Sequence, residues 1–406
     1  MRGKIKVNSY CELIKFEYRK ILRKRSTIIT LLLAILLTVF SCLGPLMGNS
    51  YSNGEVLESN YDDMRKDRQY SRSLSGREIN SKLLSETIEA YSHIPPTDGK
   101  YSDTEEYQQY ARPYSEIYYS LRKVYATKNL EEIQLLSDED IRNFYIIRQN
   151  VVEKNIEDTA MSPREKANSL NLSRNVKTPF IFSYTGGYTR LFSQMYTTAL
   201  IICFVCSICI APIFASEYTD HMDSLILSSK YGKNKVIYAK LFTGISLSVL
   251  LSTVFLVISY ITAMIFFGWE GSSSPIQFYF PLSSVPYTMG QVALLYFLLI
   301  LFGNILSTSL TMLLSAKLKS PFMVIVIMTV ITILPMFVNI SDDVLWIYHI
   351  SRLIPVNMFY LTNITREFSI DLFGLILQPY ELIFAFAVAA SMVLMPFAYK
   401  NFKNHN

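Results

Sequence analysis

Charged residues are absent from six long stretches of the sequence, which contain no aspartate, glutamate, lysine or arginine. Each stretch is apolar and reaches the roughly 18 to 20 residues that a helix needs to cross about 30 Å of hydrocarbon. The stretches are Ser26–Gly54, Leu191–Ser216, Leu241–Trp269, Gly271–Ala316, Ser320–Ser341 and Leu382–Tyr399. Half of the 406 residues are apolar and 17% are charged, which excludes a soluble multidomain enzyme. The sequence therefore predicts a polytopic membrane protein with helices that face lipid.

The sequence also lacks motifs that bind nucleotides or metals. No segment matches G-x-x-x-x-G-K-[ST], so the chain is not expected to hold ATP phosphates in such a loop. Its four histidines, His93, His221, His349 and His405, lie in separate segments and predict no metal cluster. The charge-free stretches offer none of the ionisable residues that proton relays and ion-coupled carriers use. We expect no cofactor, metal, catalytic residue or nucleic-acid partner.

Cysteine is scarce, with five residues in the chain and none between 48 and 190, so no disulfide framework is predicted. Cys203, Cys206 and Cys209 resemble part of an iron–sulfur ligand series, but the fourth cysteine is missing. Because the three lie at steps of three in a charge-free stretch, the pattern favours packing along one helix face.

Positive charge is concentrated at the ends of the charge-free stretches. Nine basic residues precede or begin the first stretch: Arg2, Lys4, Lys6, Lys15, Arg19, Lys20, Arg23, Lys24 and Arg25. The 216–240 connection, the 315–320 turn and the C-terminal tail also carry lysines, whereas the loop at 268–290 has no lysine or arginine. With six spans, the positive-inside rule predicts that both termini are cytoplasmic. The chain is rich in lysine, asparagine, isoleucine and tyrosine. This composition indicates a protein of the plasma membrane of a bacterium of Gram-positive type.

These patterns predict an all-α polytopic membrane protein with six transmembrane helices, a helical extracytoplasmic insert between the first and second, and re-entrant outer helices before the sixth. The predicted segments are a cytoplasmic amphipathic connecting helix at 1–25, spans at 26–47, 191–215, 241–267, 286–314, 320–340 and 380–399, the insert at 48–190, a cytoplasmic loop at 216–240, the outer re-entrant segment at 341–379 and a cytoplasmic tail at 400–406. In the connecting helix, an apolar face of Leu13, Ile14, Tyr18, Ile21 and Leu22 is predicted to lie on the inner leaflet.

The insert has the periodicity of helices. Aromatic and apolar residues recur at steps of three and four: Tyr107, Tyr110, Tyr114, Tyr118, Leu121 and Tyr125. Such a stripe is typical of a core or dimer face, with peptide or glycan binding as the alternative. Ser137 and Ser162 begin predicted capping boxes, the latter followed by Pro163. We expect three or four helices, including 61–92, 103–127 with a kink at Pro113, and 130–158, and a break at 94–99.

The loop at 216–240 is the strongest functional candidate. Asp220 and Asp223 suit the first turn of a short helix, and Gly232 suits the break after it. Met222, Leu225 and Ile226 then form an apolar ridge that can lie in a groove of a soluble partner. The alternative is a plain solvated connector.

This loop resembles that of ABC-2 type ABC transporter permeases. Glu217 after the second span, Leu225–Leu227 in the short helix, the turn Ser228–Lys235 and Lys240 at the third span follow the family's order, although His221-Met222 and Ser229-Lys230 depart from its usual Gly and Ser-Pro. The resemblance implies a permease that pairs with a second copy or paralogue and with ABC ATPase subunits that bind the ATP, and that exports lipids, peptides, antibiotics or ions. It assigns ATPase coupling to Glu217, Asp220, Met222, Asp223, Leu225, Ile226 and Lys230.

Two alternatives remain open at the level of the sequence. A membrane sensor or signalling scaffold would use the insert to bind a ligand without transport, and a membrane-embedded enzyme is the weakest hypothesis because no paired acidic or histidine residues lie in the spans. In the fourth span, Asn304, Ser307, Thr308 and Ser309 are predicted to hydrogen-bond between helices, or alternatively to line a transport pathway.

Overall fold

The computed structural model describes residues 5–52, 55–95, 100–127, 129–338, 340–341 and 343–404, most of which are helical. The α-helices are α1 (Ile5–Leu22), α2 (Arg25–Leu43), α3 (Asn60–Leu74), α4 (Ser81–Ser92), α5 (Ser115–Val124), α6 (Leu130–Gln134), α7 (Asp138–Arg142), α8 (Phe144–Asp158), α9 (Pro163–Arg174), α10 (Gly186–Ile210), α11 (Pro212–Thr219), α12 (Asp223–Ser228), α13 (Ile237–Phe267), α14 (Met289–Lys317), α15 (Pro321–Ile333), α16 (Leu345–Ser351), α17 (Pro355–Met358), α18 (Thr362–Thr365) and α19 (Pro379–Lys403). Two antiparallel hairpins, which the sequence analysis did not predict, pair β1 (Asn49–Ser52) with β2 (Glu55–Ser59) and β3 (Ile370–Leu372) with β4 (Leu375–Leu377).

Five helical segments of the described chain are long and apolar enough to cross a membrane. They are Arg25–Leu46, Gly186–Thr219, Gly232–Phe267, Met289–Lys317 and Pro379–Lys403. The predicted span at 320–340 is a shorter apolar segment, α15 followed by the 3-10 turn Leu334–Phe337. Pro335 contributes to this early end because it has no N–H to continue the α-helical ladder. The chain is thus a multi-pass membrane protein.

The bundle is centred on α14, which packs against α10, α13 and α19. Leu299 and Ile300 of α14 are buried in this core together with Phe255 of α13. At the periphery, α2 exposes Leu32, Leu36 and other large apolar side chains. In water such a surface would be strongly unfavourable, so this face of α2 contacts lipid or another apolar chain.

The second long helical segment is broken between α10 and α11, where Pro212 removes a backbone donor. Ser315 of α14 fills the gap. Its hydroxyl donates to the Ala211 carbonyl (2.7 Å) and accepts from the N–H groups of Phe214 and Ala215 (3.0 Å each). The break is therefore stable inside the bundle, because a neighbouring hydroxyl binds the polar groups that it frees.

The segment between α2 and α10 is helical, but its helices are shorter than predicted. The predicted helix 61–92 is two helices, separated by a turn in which Gly76 has φ +88°. The segment 103–127 is interrupted at Pro113 by a π turn and a 3-10 turn before α5, and 130–158 is divided into α6, α7 and α8. The capping boxes at Ser137 and Ser162 are confirmed. The predicted break at 94–99 falls mostly outside the described residues.

Most of the predicted tyrosine stripe lies in the interior of this segment. Tyr91 stacks on Tyr118 with ring centroids 3.7 Å apart. Tyr101 contacts both of these rings edge-on, and Tyr107 contacts Tyr91 edge-on. Tyr110 is the member that remains largely exposed. Burial of the aromatic rings favours the predicted core role over ligand binding.

The insert packs onto two connections of the bundle at the same end. Arg148 of α8 is fully buried and donates to the carbonyls of Pro281 and Ser283 (2.7 Å each), between α13 and α14. Arg164 of α9 pairs with Asp371 of β3 (3.0 Å). The predicted re-entrant segment 341–379 therefore consists of α16, α17, α18 and a β-hairpin that rests on the insert.

Candidate functional site

The loop predicted at 216–240 begins inside a helix, because α11 continues to Thr219. The N–H of Met222 donates to the Glu217 carbonyl (2.8 Å) and that of His221 to the Tyr218 carbonyl (3.2 Å), which together form a Schellman turn. His221 occupies its left-handed position with φ +55°, where glycine is usual. The turn reverses the chain tightly and ties α12 to the end of α11.

The short helix predicted after this turn is α12, and Asp223 lies in its first turn. Its apolar residues divide between two sides. Leu227 is 9% exposed and packs into the bundle core beside the partly buried Ile226, whereas Met222 and Leu225 are 42% and 60% exposed. The predicted ridge is thus reduced to two exposed side chains, because Ile226 faces the bundle.

A π-helical turn, Gly232–Val236, joins α12 to α13. A Cβ atom at Gly232 would lie 1.5 Å from the Ile226 carbonyl oxygen, so this close approach requires glycine. The Tyr399 hydroxyl of α19 donates to the Lys233 carbonyl (2.9 Å). These contacts hold the far end of α12 against both α13 and α19.

The exposed charges before and after α12 have opposite signs. Asp220 is exposed just before the helix, and Lys230 is exposed after it. An acidic group at a helix start and a basic group past its end match the helix dipole. The surface therefore presents two apolar side chains, Met222 and Leu225, between an acidic and a basic flank.

Four charged side chains meet beneath this surface in what we call the junction cluster: Glu17, Lys20, Glu217 and Lys240. Lys240, fully buried at the start of α13, donates to Glu17 of α1 (3.0 Å) and to Glu217 of α11 (2.6 Å). It also donates to the Ile213 carbonyl (3.0 Å), and Lys20 of α1 donates to Glu217 (2.6 Å). Two cations balance two carboxylates, as buried charges require.

The sequence analysis missed the two members of the junction cluster on α1. Glu17 lies on the apolar face of α1 beside Ile14, Tyr18 and Ile21, and a carboxylate in that position signals a buried cation opposite. This face packs against α13, where the Tyr18 hydroxyl donates to Ser246 (2.7 Å). Protein therefore covers part of the apolar face predicted to lie on lipid, and Leu22 of that face remains exposed.

Lys24, which directly precedes α2, is next to the junction cluster. Partial burial lowers the pKa of its ammonium group, and the positive charge of Lys20 lowers it further. The carboxylates of Asp220 and Glu217 oppose this lowering of the Lys24 pKa.

The polar residues predicted in the fourth span are buried between helices. The Thr308 hydroxyl donates to Ser248 of α13 (2.9 Å), and Ser307 shares a hydrogen bond with Cys203 of α10 (3.1 Å). Asn304 is buried as well, and its amide donates to the Ile300 carbonyl (2.9 Å). These contacts favour the packing role for the three residues over a role in lining a pathway.

Groups of three or more histidine, cysteine or acidic side chains that could hold a metal ion do not occur among the described residues. Cys203, Cys206 and Cys209 are free, buried and packed in the bundle.

The fold and the loop together define a multi-pass membrane protein with a short, partly exposed helix between two of its spans. Comparison with known families is in agreement: residues 24–365 match the family described as ABC-2 family transporter protein. The chain belongs to this family, whose members are the membrane permeases of ABC transporters and associate with ABC ATPase subunits. No curated protein matches the chain significantly.

Proposed function

We propose that this chain is the permease subunit of an ATP-driven exporter and that α12 is the docking point for its ATPase. The observation that carries the proposal is the division of α12 into two faces. Leu227 and Ile226 fix the helix to the bundle, and Met222 and Leu225 are left facing outward. An apolar pair on a short, supported helix suits a groove in a soluble partner.

Force applied to α12 has two routes into the membrane. The Schellman turn connects α12 directly to α11, and the junction cluster connects α11 to α1 and α13 through Glu217 and Lys240. ATP-driven closure of two docked ATPases would move these helices together. In this mechanism ATP is bound by the partner subunits, and the permease itself carries no catalytic residue.

We further propose six spans, with Pro321–Phe337 crossing as the fifth. Its apolar side chains are exposed on the bundle surface, as expected for lipid contact. The basic residues near α1 and α12 support a cytoplasmic location for both termini and for 216–240. In this topology the insert at 48–190 and the segment 341–379 lie outside. The host membrane would be a bacterial plasma membrane.

We propose that two permeases, identical or paralogous, form the transport unit. The exposed apolar surfaces of α2 and α15 provide candidate faces for a second permease and for lipid. A pathway between two subunits would also explain why Asn304, Ser307 and Thr308 are buried within one chain. The sensor alternative loses support because its candidate tyrosines lie mostly in the interior of the insert.

The docking proposal is tested by copurifying an affinity-tagged permease with candidate ABC ATPase subunits expressed in the same cells. Met222→Asp combined with Leu225→Asp should reduce the bound ATPase at least tenfold, because each apolar side chain contributes about 1.5 to 3 kcal/mol when buried. These positions are preferable to Ile226, whose substitution would also disturb the core.

Leu135→Asp is a matched control, since this leucine is 83% exposed on the insert. It should leave ATPase binding unchanged while the permease still migrates as a single species. Undiminished ATPase binding and substrate-stimulated ATP hydrolysis in the double variant would rule out α12 as the docking helix.

A further inference from the structure

Arg352 follows α16 at the insert end of the bundle and lies between two aromatic rings. Its guanidinium carbon is 4.5 Å from the ring centroid of Tyr348 and 4.6 Å from that of Tyr360. Tyr360 in turn stacks on Tyr196 of α10, with centroids 5.0 Å apart. The arginine is thus fixed in orientation against the spans by stacking.

This arginine has donors that the protein leaves unused. Within the described chain it forms no ion pair within 4 Å, and its buried Nη1 has no hydrogen-bond acceptor. Its Nη2 donates to the Tyr348 hydroxyl, which also accepts from Arg366 (3.4 Å). The unused donor of Arg352 would therefore be favourably paired with an oxyanion.

The neighbouring histidine does not change this charge balance. Burial lowers the pKa of His349, and the positive charge of Arg352 acts in the same direction, although Glu165 opposes it. The imidazole is therefore mainly neutral at pH 7, and the positive charge of Arg352 at this site does not depend on it.

An exposed apolar surface adjoins the positive site. Trp346 and Ile350 of α16 are 66% and 57% exposed, whereas Tyr348 and Ser351 of the same helix are buried. Tryptophan at the end of a membrane bundle is typical of the level of lipid headgroups. A ligand that matches both parts of the surface has an oxyanion head and an apolar chain.

We propose that Arg352 and the exposed face of α16 bind an anionic phospholipid, with the phosphate at the Arg352 guanidinium group and an acyl chain along Trp346 and Ile350. The inference depends on the membrane location of the bundle and not on ATPase docking.

Tryptophan fluorescence tests this site directly, because the chain has two tryptophans and Trp269→Phe leaves Trp346 as the sole reporter. The full-length variant is reconstituted in bilayers that contain increasing fractions of brominated phosphatidylglycerol or brominated phosphatidylcholine. We expect brominated phosphatidylglycerol to quench Trp346 at an approximately fivefold lower lipid fraction than brominated phosphatidylcholine. A preference of this size corresponds to the attraction of one arginine to an anionic lipid surface.

Arg352→Gln in this background should abolish the preference while quenching by phosphatidylcholine stays the same, which also reports correct insertion. Arg352→Lys should retain part of the preference, and Arg174→Gln, at an exposed insert position, should retain all of it. Equal quenching by the two lipids before substitution, or an unchanged preference in Arg352→Gln, would overturn the proposal. Loss of the preference in excess inorganic phosphate would overturn the assignment to a lipid in favour of a free oxyanion.

Discussion

Lys240→Met should destabilise the permease strongly, because it removes the central cation of the junction cluster. Lys240 is completely buried and donates to two carboxylates and one carbonyl, at 2.6 to 3.0 Å. Without it, Lys20 alone faces two buried carboxylates. Removing one partner of a buried ion pair typically costs about 3 to 5 kcal/mol, and we expect a loss of that size.

The more informative variant adds Glu17→Gln to Lys240→Met. The second substitution removes the carboxylate that has lost its cation and leaves Lys20 paired with Glu217 (2.6 Å). Glu17→Gln alone should destabilise the protein by about 1 to 3 kcal/mol because it leaves the cations in excess. In the Lys240→Met background the same change should restore about 1 to 2 kcal/mol, so the two effects should be clearly non-additive.

The measurement is reversible unfolding of the purified permease in mixed micelles, followed by circular dichroism as the fraction of denaturing detergent rises. Lys400→Met serves as the control, since this lysine is exposed on α19 and its loss should change the stability by less than about 0.5 kcal/mol. Glu17→Gln could instead destabilise the Lys240→Met variant by as much as it destabilises the unmodified protein. That result would show that charge balance is not what stabilises the junction cluster.

Two other predictions concern single residues. His221→Gly should stabilise the turn after α11 by about 1 kcal/mol, because glycine adopts φ +55° without the strain of a side chain, and a lower melting temperature for this variant would contradict the turn geometry. Burial raises the pKa of Glu116 in α5 from 4.5 to about 7, with Ser71 as an opposing donor and Asp67 as a repelling charge. Since the folded pKa is the higher one, the destabilisation is complete above pH 7, decreases as the pH falls, and is absent below pH 4.5. Glu116→Gln should therefore stabilise the protein by at most about 3 kcal/mol at pH 8 and have little effect at pH 4, as thermal unfolding at the two pH values would show.

The sequence was most informative where the membrane imposes a strong constraint. Charge-free stretches located the long helices α2, α10, α13, α14 and α19, because few other structures accommodate so many apolar residues. The length of the helix in the stretch at 320–340 was not predicted correctly. Hydropathy does not show that Pro335 ends the α-helical hydrogen bonding early. In the insert, local capping at Ser137 and Ser162 was predicted correctly, whereas the lengths of the helices were not.

The local structure of the candidate site could be predicted from the sequence, but its contacts with distant segments of the chain could not. The short helix at Asp223–Ser228 follows from local spacing and from the family resemblance. The inward orientation of Ile226 depends on how the helices pack. The contact of Glu17 with Lys240 also depends on packing, because the two residues are 223 positions apart in the sequence. Such a pairing is visible beforehand only as an unexplained charge on an apolar helix face.

The single hydroxyl of Ser315 gives the α10–α11 break a mechanical property. It binds backbone groups on both sides of Pro212, so the point about which the two half-helices would pivot is fixed to α14. A displacement of α12 is then converted into a tilt of α11 about that pivot, with α11 acting as a lever of about 12 Å. The end of α14 that carries Ser315 would follow this tilt, so a local push on one loop would become a rearrangement of the helix at the centre of the bundle.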